Sequence, residues 1–84
     1  VTYERELELT VARLRQLPVS RLLPAEELVY DVLGQMTSRE VPRLRATVWG
    51  DQVLVIGRLV PSQSRPGLVE ALRQLRRRFD LTLG

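Results

Sequence analysis

Cysteine, histidine and lysine are all missing from this 84-residue chain, and aromatic residues are scarce, at one Trp, two Tyr and one Phe. The absence of cysteine excludes a disulfide brace and thiol chemistry. Without imidazole or thiolate, zinc sites and most general-base catalysis are closed as well. Only an oxygen-ligand site for calcium or magnesium would remain, and no Asp-rich loop of the required spacing is present. Gly50, Gly57 and Gly67 are too scattered for a phosphate-binding loop. No cofactor, no metal and no small-molecule substrate are therefore expected. Apolar runs are only a few residues long, far short of the roughly 20 needed to cross a bilayer. The start at Val1 rather than Met is read as the mark of an excised domain or processed chain, with any membrane or envelope anchor expected outside these residues.

What is present is a basic set made entirely of arginine, giving a formal charge of +3 that is unevenly spread. Glu4, Glu6 and Glu8 balance Arg5, Arg13 and Arg15 near the start. Residues 21 to 42 are acidic on balance, and residues 43 to 84 set eight Arg against Asp51, Glu70 and Asp80. A basic half of this kind draws acidic partners without specifying which.

Residues 2 to 17 read as an amphipathic helix. Tyr3, Leu7, Thr10, Leu14 and Leu17, with Val11 beside them, recur at steps of three and four. The acidic start and basic end suit the helix dipole, and Pro18 ends the segment. The stripe is expected to pack on the domain rather than to form the seam of a coiled coil. A proline-bracketed connector (Pro18 to Pro24) leads into a second helix from Ala25 to about Met36, with Leu28, Val29, Val32, Leu33 and Met36 on one face. Gly34 inside it suggests a close backbone contact or early fraying.

The next stretch reads as a β-hairpin. Leu44, Ala46 and Val48 alternate with Arg43, Arg45 and Thr47, Gly50-Asp51 supplies a turn, and Gln52 to Val60 returns as a second strand with Gly57 marking a bulge or close approach. A third helix follows, with Pro66 in its first turn and Leu68, Val69, Leu72, Leu75 and Phe79 on one side. Asp80 to Gly84 reads as a third strand. The expected fold is α+β, an α-β-β-α-β unit over residues 24 to 84 with a three-stranded sheet and helices packed on one face, preceded by the helix and connector of residues 1 to 23.

That element order, with VWGDQVLVIGRLVPS followed by LVEALRQLRRRF, resembles the BON family of small bacterial envelope domains through Val55, Gly57, Val60, Pro61 and Ser62. It also resembles the ring-building, ferredoxin-like modules of secretion, flagellar and pilus assembly proteins. Either resemblance, over residues 25 to 84, implies an envelope-associated binding or scaffolding module without catalytic residues.

Among candidate functional residues, Glu26, Glu27 and Asp31 share a helical face, but a catalytic carboxylate pair needs a pocket that a chain with one small core has little room to build. The basic cluster carries the functional expectation. Arg73, Arg76 and Arg77 lie within a turn of one another, and Arg43 and Arg45 are placed on one face of the first strand; such guanidiniums can grip carboxylate or phosphate through paired hydrogen bonds. Trp49 is read as partly exposed beside the turn, available to a partner. The expected role is a non-enzymatic protein-protein interaction or oligomerisation module, using an apolar strip of the first helix or the second face of the second strand, with Arg43, Arg45, Trp49, Arg73, Arg76 and Arg77 as partner-binding residues. The alternative is a basic domain that binds anionic lipid or nucleic acid; nucleic acid is disfavoured because no row of aromatics is available for base stacking.

Overall fold

The structure, a computed structural model, describes residues 2 to 81. Within them the chain forms helices and connectors only: α1 (Tyr3–Gln16), a single turn α2 (Val19–Leu22), α3 (Glu26–Met36), α4 (Trp49–Arg58) and α5 (Arg65–Leu81), with 3-10 turns at Leu23–Ala25, Ala46–Val48 and Ser62–Ser64. No strand occurs among the described residues. The fold is all-α, and the expected α+β unit with its three-stranded sheet is corrected accordingly. Of the expected third strand, Asp80 and Leu81 form the end of α5, and the rest lies outside the described residues.

The helices read from the stripes are present. Thr2 caps α1, its hydroxyl accepting from the Arg5 amide at 3.2 Å, and Leu17 leaves the helix in an extended conformation just before Pro18. Helix α3 begins with Glu26 and Glu27 in its first turn, where the positive pole of the dipole favours them, and runs through Gly34 to Met36. Nothing lies within 4 Å of the place a Cβ would take at Gly34, so this glycine neither admits a neighbour nor ends the helix.

The hairpin is the error. Residues 46 to 60, expected to turn and pair as strands, form a 3-10 turn and then α4. The buried positions of this stretch are Ala46, Trp49, Gly50, Val53, Gly57 and Val60, spaced by threes and fours as a helix requires. The glycines sit on the buried face because α1 crosses there. A Cβ built at Gly57 would come within 2.6 Å of a Leu7 methyl, and one at Gly50 within 2.9 Å of the Arg15 side chain. Gly57 thus marks a close approach inside a helix and not a bulge in a strand.

Helices α1 and α3 each pack on both α4 and α5. One core runs through all four, from Tyr3, Leu7, Val11 and Leu14 of α1, through Val29, Val32 and Leu33 of α3 and Val53 of α4, to Leu68, Leu72, Leu75 and Phe79 of α5. The α1 stripe is internal packing. No helix among the described residues is long and apolar enough to cross a membrane.

Candidate docking surface on α4

The extended segment between α3 and α4 is held against the bundle by three polar side chains whose rings or stems lie in or beside the core. The Leu44 amide donates to the Tyr30 hydroxyl at 2.8 Å, which in turn donates to Gln52 Oε1 at 2.8 Å. Trp49 Nε1 donates to the Leu44 carbonyl at 3.1 Å, and Gln52 Nε2 to the Pro42 carbonyl at 3.0 Å. Tyr30 and Trp49 meet edge to face with centroids 6.0 Å apart. Trp49 is 1% exposed, so the expected partial exposure is corrected: the ring closes the core and its N–H fixes the connector.

Pinned this way, the connector forms a wall beside the outer face of α4. Pro42 and Leu44 from the connector line a shallow, largely apolar hollow with Val48, Val55 and Ile56, and Asp51 and Gln52 complete its rim. Leu44 is 48% exposed, Val55 59% and Leu59, one turn beyond Val55, 77%. Leu9, Val19 and Leu23 are also exposed elsewhere on the surface; here the exposed side chains lie on and beside a hollow that is itself largely apolar.

The arginines do other work. Arg43 bonds Glu27 at 3.1 and 3.3 Å and Glu26 at 3.3 Å, and its guanidinium lies 4.5 Å from the Tyr30 ring centre. Those hydrogen bonds, with the charge behind them, hold the Glu27 carboxyl below its ordinary range. Arg73 and Arg76 converge from α5 on Glu6 of α1: Arg73 Nε reaches Oε1 at 2.8 Å and Arg76 Nη2 reaches Oε2 at 2.7 Å. Arg76 also donates to the Glu6 carbonyl and to Thr10 Oγ1. The Glu6 side chain is 3% exposed. Burial by itself would raise its pKa, but the bonds and charges of Arg76 and Arg73 outweigh it and the carboxyl is held below the ordinary 4.5.

Of the expected partner-binding residues, Arg43, Arg73 and Arg76 are therefore bound to carboxylates of the same chain, while Arg45 and Arg77 are exposed and form no ion pair among the described residues. Arg73, Arg76 and Arg77 do come together, lining one hollow with Asp80. Arg43 and Arg45 share no strand; Arg43 is held on α3 and Arg45 precedes the 3-10 turn. Sequence reasoning missed Glu6, whose signal was its position three residues after Tyr3 and beside Leu7, inside an otherwise apolar stripe. It also missed Leu59, assigned to the second strand.

No protein-family model matches the chain, and neither does any curated protein or solved structure at a significant level. The strand order on which the resemblance to envelope modules rested is absent among the described residues.

Proposed function

We propose that the chain is a non-enzymatic interaction module that docks a protein through the outer face of α4 and the connector beside it. The observation that carries this reading is the exposed pair Leu44 and Val55 lining a hollow with an apolar floor, with exposed Leu59 one turn beyond Val55 and the connector held by Tyr30, Trp49 and Gln52. A rigid apolar centre with a polar rim is the usual anatomy of a protein-binding patch. Glu26 and Glu27, the carboxylates whose spacing invited a catalytic reading, are tied to Arg43, which favours a structural role for them. The basic-domain alternative loses weight for the same reason, since three of the arginines it needs are already matched by carboxylates.

The test is a photo-crosslinking residue placed at Val55, with a control at the exposed Glu8 of α1. Protein adducts formed at Val55, absent at Glu8 and lost on adding Leu59→Glu, are expected. Equal labelling at the two sites, or no protein adduct at Val55, would overturn the reading. Sedimentation with vesicles of anionic phospholipid is expected to show weak binding that disappears at moderate salt.

A further inference from the structure

Resting on that reading, we infer that the partner is a second copy of this chain, docked with the two α4 helices antiparallel about a two-fold axis near residues 54 and 55. Three features of the α4 surface match themselves under that operation. The first is a projection and a hollow on one face. Leu59 stands out just past the C-terminal end, and the hollow of Pro42, Leu44, Val48, Val55 and Ile56 runs along α4 from before its first turn to Ile56. In a two-fold pair, residue i meets residue j of the other copy and j meets i. With the axis between 54 and 55, each Leu59 reaches the first turn of the other copy's α4, where that hollow opens.

The second feature is charge. Asp51 and Arg58 are seven residues apart, about two helical turns, and so lie on the same flank of α4. Antiparallel pairing brings like flanks together, and this axis sets Asp51 of each copy opposite Arg58 of the other. Arg58 is exposed and its side chain has no partner among the described residues; Asp51 is ion-paired with Arg15 of its own chain at 2.5 Å, with 65% of its side chain exposed, so in the pair its carboxylate would be shared between Arg15 and the other copy's Arg58. A parallel two-fold pairing would instead set each charge level with its own kind on the opposite flank and form no opposite-sign contact. The third feature is the middle of α4, where Val55 meets Leu54 and Val55 of the other copy with no charge between them.

The contact is small. A ten-residue helix is about 15 Å long, so even with the connector the interface falls at the low end of specific sizes, below roughly 1,200 Å². Self-association through so small a contact should be weak and reversible.

Sedimentation equilibrium of the purified chain from micromolar to millimolar concentration is expected to show a monomer-dimer transition. Arg58→Asp alone and Asp51→Arg alone each place like charges across both contacts and should weaken dimerisation tenfold or more. An equimolar mixture of the two variants restores both opposite-sign contacts and should recover association as a heterodimer. Circular dichroism and thermal melting of each variant separate loss of pairing from loss of fold. A single cysteine at Val55, in a chain that has none, should give a disulfide-linked dimer on mild oxidation, and one at Glu8 should not. A chain that stays monomeric throughout, or associates without regard to these charge reversals, would overturn the second-copy proposal. If Val55 then still crosslinks a different protein, the interaction reading stands; if it crosslinks nothing, both fall.

Discussion

Alanine placed at three of the glycines should have three different effects, because their surroundings differ while the substitution does not. At Gly34 the new methyl meets nothing within 4 Å and the site lies inside α3, so the helix gains about 0.5–1 kcal/mol in propensity and reduced unfolded-state freedom. At Gly50 the methyl meets the Arg15 side chain at 2.9 Å, but that side chain is half-exposed and can swing aside, so the result should stay within about 0.5 kcal/mol of the parent. At Gly57 it meets buried Leu7 at 2.6 Å and the Tyr3 hydroxyl at 3.2 Å, and that hydroxyl donates to the Gly57 carbonyl at 2.7 Å. Overpacking costs about 1–3 kcal/mol, a disturbed hydrogen bond about 1, and propensity returns about 1. Roughly 1–3 kcal/mol of net destabilisation remains at Gly57. Urea unfolding, followed by helical circular dichroism and by the emission of the single buried Trp49, reads these differences. With a slope of about 1 kcal/mol per molar urea for a domain this small, the midpoint should rise by about 0.5–1 M for Gly34→Ala and fall by about 1–3 M for Gly57→Ala. Similar shifts at all three positions, or a Gly57→Ala chain more stable than the parent, would refute the packing of α1 on α4 described above.

Glu6→Gln should cost roughly 1–2 kcal/mol at neutral pH, less than a fully buried pair because Arg73 and Arg76 both reach water. Since the folded-state pKa of Glu6 is depressed, its contribution is present above about 4.5 and is lost as pH falls through the lower folded value. The stability gap between parent and Glu6→Gln, measured by urea unfolding from pH 7 to pH 3, should therefore close on the acid side. Tyr30→Phe removes the acceptor of the Leu44 amide and should speed hydrogen exchange there while leaving Val32 and Leu33 in α3 protected. Leu59→Glu should leave the thermal midpoint nearly unchanged, since the side chain is mostly exposed, while abolishing concentration-dependent association.

Helices α1, α3 and α5 were legible because each carries a stripe of large apolar residues at steps of three and four, bounded by prolines or a capping threonine. Helix α4 was not, for two physical reasons. Its run Val53-Leu54-Val55-Ile56 is apolar on every side and β-branched at all but Leu54, so periodicity alone cannot separate a strand from a helix. Two of its core-facing positions are glycines, which read as turn and bulge when the sequence is scanned for large side chains, although the same residues serve a helix wherever another must come close. The short alternation Leu44, Ala46, Val48 then completed a false strand. In the candidate site, the arginines could be found by composition but their partners could not, because Glu6 is 67 and 70 residues from Arg73 and Arg76 and only the packing of α1 on α5 brings them together.

The packing of α1 also has a consequence for synthesis. Its apolar stripe is covered by α4 and α5, which follow it by more than thirty residues, so during synthesis α1 has nothing to fold onto until those helices have left the ribosome. A chain that stops before α5 would leave the α1 stripe partly uncovered and Glu6 without Arg73 and Arg76, a substrate for chaperones and proteases rather than a smaller working unit.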